Sequence, residues 1–88
     1  MMNKQTLQEF EAMRRHFGWD KSDTLEFLVS CVKEEAEELF NSLNEDEEAL
    51  KKELADVMMY CYAICIDNNY DMDLLIQEKI KEVMKREY

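Results

Sequence analysis

The stretch that decides the fold is residues 34–56, which opens with Glu34-Glu35-Ala36-Glu37-Glu38 and closes with Glu53-Leu54-Ala55-Asp56. Glu35 and Glu38 are three residues apart, and so are Glu53 and Asp56. On a helix each pair therefore lies on one side, with roughly 5 Å between β-carbons. If the two helices pack antiparallel at the usual ~8–10 Å between axes, carboxylates from both converge on one point. Such a cluster of oxygen ligands suits a hard divalent cation.

The repulsion between these carboxylates indicates that the cluster is not incidental. Two carboxylates about 6 Å apart repel each other by roughly 2–3 kcal/mol at an effective dielectric constant near 20. A whole domain is stable by only about 5–15 kcal/mol. Four gathered carboxylates therefore either splay into water or hold cations among them.

The composition describes one small helical domain that spans residues 1–88. The chain has one glycine and no proline, and it is 36% charged and 47% apolar, which is typical of a globular helical protein. A domain of this size buries only about 60% of its unfolded surface, so a partner subunit is expected to extend the core. The net charge of -10 argues against binding to nucleic acid or to anionic membranes.

The cysteines point to a reducing compartment. Cys31, Cys61 and Cys65 fall inside helical patterns, and their odd number without a signal peptide predicts reduced thiols in the cytoplasm. The longest nearly apolar run, residues 54–66, is too short to span a bilayer and contains Asp56.

Hydrophobic periodicity predicts four helices, and we expect them to form a four-helix bundle assembled as an oligomer. Their predicted ranges are about 3–16, 22–43, 46–67 and 71–88. The first helix is predicted to end near Gly18, and Asp20 or Ser22 can then cap the second helix. The short loop 41–48 favours antiparallel packing of the second and third helices, which brings the acidic pairs face to face.

The third helix is apolar on nearly all sides from Leu54 to Ile66, so we expect it to be buried all round and to line a subunit interface. Asp56 is the only charge in that run. Because aspartate is almost never buried unless it is paired or binds a metal, this position is the strongest single indication of a metal centre.

Trp19 and Lys79, which lie outside the acidic stretch, have two interpretations each. Trp19 at the first helix junction is either a core or hinge anchor, or an aromatic wall for a planar base. Lys79 lies near the middle of the apolar face of the last helix, and Arg86 follows one heptad later. The lysine either extends to water or directs a cation inward at carboxylates or phosphate.

Together these features resemble the MazG-like nucleoside triphosphate pyrophosphohydrolases, an all-α family whose hallmark is Glu-Glu-x-x-Glu, a spacer, and Glu-x-x-Asp. Residues 34–38 and 53–56 match that hallmark. Gly18-Trp19-Asp20 with Thr24 and Leu28 is similar to the family's entry to the first motif helix. Lys79 with Arg86-Glu87-Tyr88 is similar to its closing basic motif, so the resemblance covers about residues 17–88.

The resemblance implies hydrolysis of a nucleoside triphosphate between the α and β phosphates, giving the monophosphate and pyrophosphate. It implies that Mg²⁺, with Mn²⁺ as an alternative, is held by the cluster Glu35, Glu38, Glu53 and Asp56. Glu34 would orient or deprotonate the attacking water, which makes Glu34, Glu35 and Glu38 the catalytic candidates. Lys79 and Arg86 would hold phosphate oxygens, and Trp19 would contact the substrate.

Other functions stay open from the sequence. The phosphoribosyl-ATP pyrophosphohydrolases are similar in fold and chemistry, so the reaction type is better defined than the substrate. A non-enzymatic acidic helical module that binds a basic protein is a second alternative, and it predicts no dependence on metal. The expected partners are a nucleoside triphosphate and further copies of the chain, as a homodimer or homotetramer.

Overall fold

The computed structural model describes residues 2–86, and within that range every regular element is helical. The α-helices are α1 (Lys4–Phe17), α2 (Trp19–Ser22), α3 (Leu25–Asn41), α4 (Glu47–Asp67) and α5 (Met72–Met84), with a 3₁₀ turn at Ser42–Asn44. The predicted all-α class is therefore confirmed. Glu87 and Tyr88, where the last helix was predicted to end, lie outside the described residues.

Side-chain caps set the beginnings of the four long helices. Asn3, Thr24, Asp46 and Asp71 each accept a hydrogen bond from the backbone amide three residues later, at 2.9–3.2 Å. Such a bond satisfies one of the amides that a helix leaves unpaired in its first turn. The predicted beginnings of α4 and α5 at Asp46 and Asp71 are thus confirmed.

The junction between α1 and α3 differs from the prediction. Gly18 ends α1 in the left-handed conformation, at φ 74°, and donates its amide to the carbonyls of the preceding turn. Asp20 and Ser22 do not cap the next long helix, because both lie in the extra short helix α2. Thr24 caps α3 instead, two residues later than expected.

The long helices α3 and α4 form an antiparallel hairpin. Glu35 on α3 lies near Asp56 on α4, and Cys31, one turn earlier, lies near Tyr60, one turn later. The small core joins α1 to this hairpin through Phe10, Leu28 and Ala63. The hairpin thus carries the acidic motifs, and α1 covers one side of it.

The fourth long helix, α5, does not pack into this core. None of its residues is buried, and its apolar side chains are largely exposed. They include Leu74, Leu75, Ile76, Ile80 and Met84. A four-helix bundle within one chain is therefore not confirmed. The burial expected along the third predicted helix is also partial, because Leu54 and Met58 are 46% and 49% exposed.

The chain is less compact than a typical monomer of its mass. Its accessible surface is 7222 Å² at 10.6 kDa, compared with about 5,500 Å² for a folded monomer of that size. Its radius of gyration is 14.9 Å, compared with about 12 Å for a compact chain of this length. The exposed apolar side chains of α5 contribute to this extra surface.

Within residues 2–86, no helix is both long and apolar enough to cross a membrane. All three cysteines are unpaired, and Cys31 and Cys65 are buried.

Candidate metal centre and adjoining cavity

The α3–α4 hairpin brings both acidic motifs to one open groove of about 430 Å³. Its lining is entirely acidic and consists of Glu34, Glu35, Glu37, Glu38, Glu53 and Asp56. The predicted convergence of carboxylates from two antiparallel helices is therefore seen in the structure. Glu37, which helix periodicity predicts to lie opposite the apolar stripe of α3, also lines this groove, although it is exposed.

Three of these residues form a tighter cluster. Glu35, Glu53 and Asp56 each offer a carboxylate oxygen, and these oxygens all lie within 4.8 Å of one another. Glu38 is close enough to repel Glu35 electrostatically, whereas Glu34 is an exposed residue of the groove. The four predicted metal ligands thus divide into three convergent carboxylates and one neighbour.

The donor set fits a hard divalent cation. Magnesium prefers oxygen ligands at about 2.0–2.1 Å in an octahedron, which places those oxygens roughly 3–4 Å apart. The oxygens of the three carboxylates all lie within 4.8 Å of one another, which is close to that spacing. None of them is fully buried, so the remaining coordination positions stay open to water or to a substrate phosphate.

In the absence of metal, the charged form of Glu35 is destabilised by burial and by the neighbouring carboxylates. Burial raises the pKa of Glu35 above its ordinary value, and the negative charges of Asp56 and Glu53 raise it further. A group in this situation binds a proton more tightly in the folded state than in the unfolded state. A bound cation removes the cost, because it favours the charged form.

We expect Glu35→Gln to stabilise the metal-free protein by an amount that increases with pH. Because the pKa of Glu35 is raised in the folded protein, protonated Glu35 adds to the free energy of unfolding at low pH. That contribution is lost as the pH rises from the ordinary glutamate value, about 4.3, through the raised pKa. Melting temperatures of wild type and variant without metal, measured between pH 4 and pH 8, check this. A difference that does not change with pH would contradict it.

A second cavity, of about 220 Å³, adjoins the acidic groove. Asp56 lines both, so the metal centre and the cavity share a wall. The cavity is mainly apolar, with side chains such as Met13 and Met59. Its other polar lining residues are Arg14, Asp23 and Tyr60.

Trp19 lies on this cavity and is not a core residue. Its side chain is 42% exposed, and its ring stacks on Phe17 with 4.6 Å between centroids. An aromatic ring that is held from one side and exposed beside an apolar cavity is suited to stack on a planar ligand. The exposure of Trp19 excludes a core position, whereas its interpretations as a hinge anchor and as an aromatic wall both stay predictions.

Neither Lys79 on α5 nor Arg86, which follows the end of α5, lines the groove of carboxylates. Lys79 Nζ lies 2.9 Å from Glu82 Oε2, and Arg86 Nη2 lies 2.8 Å from Glu82 Oε1. These pairs are exposed, and they lower the pKa of Glu82. In this chain the cation of Lys79 therefore faces water and its own helix, and the role predicted for it requires a different placement of α5.

Sequence reasoning missed Arg14, Asp23 and Tyr60. Arg14 lies one helical turn after Phe10, on the same face of α1, and it is only 4% exposed. A charged residue on an apolar face is a signal that could have identified it. Tyr60 follows Asp56 by one turn on α4, and burial raises its pKa.

The fold and this site define an all-α domain whose acidic residues, from two antiparallel helices, form a candidate metal centre beside an apolar cavity. The model of the MazG-like family matches residues 21–87, and the chain belongs to this family. The resemblance seen in the sequence is thereby confirmed. No curated protein and no solved structure matches the chain.

Proposed function

We propose that this protein is a Mg²⁺-dependent nucleoside triphosphate pyrophosphohydrolase. The observation that carries the proposal is the convergence of Glu35, Glu53 and Asp56 beside an apolar cavity. Membership of the MazG-like family supports nucleotide pyrophosphohydrolase chemistry. The proposed reaction adds water across the α–β phosphoric anhydride, which gives a nucleoside monophosphate and pyrophosphate and releases a proton.

Each carboxylate has a distinct part in this proposal. Glu35, Glu53 and Asp56 would hold the cation, and Glu38 would complete its surroundings. When bound, Mg²⁺ neutralises phosphate charge and lowers the pKa of an attacking water. Glu34, an exposed carboxylate of the same groove, would orient that water and accept its proton.

The adjoining cavity would take the nucleoside. Because Asp56 lines both spaces, a triphosphate at the carboxylates would place its nucleoside at the mouth of the cavity. Trp19 would stack on the base. A largely apolar pocket with a few polar groups is typical of a small-molecule site.

A panel of nucleoside triphosphates tests this function directly. We expect pyrophosphate release with Mg²⁺, slower or comparable release with Mn²⁺, and none with a chelator. Phosphoribosyl-ATP belongs in the same panel, because hydrolysis of that compound alone would assign the alternative enzyme. A protein that hydrolyses nothing and gains no thermal stability from Mg²⁺ would support the interaction module.

We also propose that the chain functions as a homo-oligomer in which α5 packs on a second copy. The accessible surface exceeds that of a compact monomer by about 1,700 Å² per chain, which is more than the roughly 800 Å² that each partner buries in a stable dimer of standard size. The exposed residues of α3, α4 and α5 supply apolar area for such an interface. In the oligomer, Lys79 of α5 and Arg86, which follows the end of α5, would reach the phosphates.

Met58→Asp is expected to dissociate or unfold the oligomer. Met58 is 49% exposed on α4, whereas the neighbouring Met59 packs against the core, so only Met58 tests the outer surface. A charge buried without a partner costs several kcal/mol. Light scattering at micromolar concentration measures the mass of the assembly. Gln8→Asp, at an exposed position of α1, is the control. A monomeric wild type would contradict the oligomer proposal.

A further inference from the structure

Arg14 is an almost fully buried cation on α1, a helix that precedes the residues matched by the family model. Its guanidinium pairs with Asp67 through two bonds, Nη1 to Oδ1 at 2.7 Å and Nη2 to Oδ2 at 2.8 Å. Two parallel bonds of this kind fix the orientation of both side chains as well as their separation. Arg14 thereby connects α1 to the last residue of α4.

The same guanidinium also contacts the turn that carries Trp19. Nη2 of Arg14 lies 3.5 Å from the carbonyl oxygen of Trp19 and 3.9 Å from Oδ2 of Asp23. The backbone carbonyl of Arg14 accepts from the amide of Gly18, so side chain and backbone hold the two ends of α2. One residue thus fixes α1, the Trp19 turn and α4 relative to one another.

This arrangement is not explained by the stability of α4 alone. Asp67 places a negative charge at the C-terminal end of α4, where the helix dipole disfavours it, and Arg14 offsets that cost. Arg14 also lines the cavity beside Asp23. Among residues 2–86 the carboxylate of Asp23 accepts no hydrogen bond, although its side chain is only 14% exposed. The cavity wall therefore includes a carboxylate that is ion-paired with Arg14 at 3.9 Å but accepts no hydrogen bond from the described residues.

We propose that Arg14 is a positioning residue for nucleotide binding: paired with Asp67, it holds Trp19 and Asp23 in place as the wall of the nucleoside cavity. This inference rests on the proposed function and extends the site to a helix outside the family match. The function requires arginine in particular. A lysine ammonium at position 14 can replace the charge but not the planar pair of bonds to Asp67.

The test uses Arg14→Met, Arg14→Lys and Asp67→Asn in the full chain, with Arg15→Met as the matched control. Arg15 is the adjacent arginine on α1, and its side chain is 60% exposed. Trp19 is the only tryptophan, so its fluorescence reports on this one wall. Circular dichroism first identifies the temperature at which each variant is folded. If Arg14→Met does not fold, Asp67→Asn and Arg14→Lys carry the test.

Nucleotide binding is measured by Mg²⁺–nucleotide titration of Trp19 fluorescence, and turnover is measured with the preferred nucleoside triphosphate and with inorganic triphosphate. We expect KM and Kd for the nucleotide to rise about 10- to 100-fold in Arg14→Met, the scale of a misplaced positioning group. We expect kcat to change little, and the hydrolysis of inorganic triphosphate, which has no nucleoside, to stay unchanged. Arg14→Lys should recover part of the loss, and Arg15→Met should match wild type.

The outcomes separate this inference from the proposed function. If wild type hydrolyses nucleotides and folded Arg14→Met or Asp67→Asn retains normal KM and Trp19 accessibility to acrylamide, Arg14 is not a positioning residue. An equal loss on nucleotide and inorganic triphosphate would also overturn the inference, because it would place the effect at the metal centre. A wild type that binds nucleotides without hydrolysing them would overturn only the proposed function, and the Kd comparison would still decide the role of Arg14. A wild type that does neither would overturn both.

Discussion

Asp56→Asn is expected to abolish Mg²⁺-dependent hydrolysis while the protein stays folded. Asp56 belongs to the tight carboxylate cluster and also lines the adjoining cavity, so it stands where cation and substrate would meet. Removing one preorganised electrostatic group from a reacting centre costs roughly 100- to 1000-fold in kcat. The loss of a metal ligand should lower kcat by at least that factor.

The measurement is pyrophosphate release at saturating Mg²⁺, together with the melting temperature with and without the ion. Without metal, Asp56→Asn removes a repulsion on Glu35 and should be as stable as wild type or more stable. Mg²⁺ should raise the free energy of unfolding of the wild type by about 2.7 kcal/mol when the free Mg²⁺ concentration is one hundred times Kd. The variant should gain less.

Glu38→Gln and Glu48→Gln complete the series. Glu38 lies in the groove but outside the three convergent carboxylates, so its loss should also impair turnover. Glu48 is exposed in the first turn of α4, where it pairs with Lys51, and its change should be nearly silent. Near-normal activity in both Asp56→Asn and Glu38→Gln would refute the metal-centre assignment.

Lys79→Met is the prediction with the second largest expected effect. If α5 packs in the oligomer so that Lys79 meets the triphosphate, the change should weaken transition-state stabilisation by roughly 2–4 kcal/mol. That corresponds to a loss in kcat/KM of about 30- to 1000-fold. The aliphatic stem is kept, so folding and assembly should be little affected.

If Lys79 instead keeps the position that it has in the single chain, Lys79→Met should have little effect. Here Lys79 pairs only with exposed Glu82, and an exposed pair of this kind contributes little to stability. An unchanged kcat/KM would therefore remove Lys79 from the site. Lys81→Met, at an exposed position of α5 that faces away from Lys79, is the control. Mixing Lys79→Met with Asp56→Asn should restore activity only if α5 serves a neighbouring copy.

The local features of this fold were predictable from the sequence because they depend on residues a few positions apart. Capping by Asp46 and Asp71 satisfies backbone amides within one turn. The spacing of Glu35, Glu53 and Asp56 placed them on facing sides of two helices joined by a short loop. Their convergence therefore followed from helix geometry, without knowledge of the rest of the chain.

Long-range features were not predictable in the same way. Arg14 and Asp67 are 53 residues apart, and no periodicity pairs a cation on one helix with a carboxylate on another at that separation. The four-residue helix α2 was missed because a single turn gives no repeating pattern. The position of α5 was missed because an amphipathic helix shows which face is apolar but not which surface covers it.

The unpartnered α5 has a consequence for how the molecule opens. An isolated helix of its length, 13 residues, is marginal in water even with a good cap, since such helices need about 12–15 residues to form. The hairpin of α3 and α4 is instead held by the core of Phe10, Leu28 and Ala63. Amide protons of α5 should therefore exchange with solvent deuterium much faster than those of the hairpin in dilute protein. If α5 packs on a second copy, the exchange of its amide protons should slow as the protein concentration rises. The exchange rate of this one helix would then report the fraction of the protein that is associated.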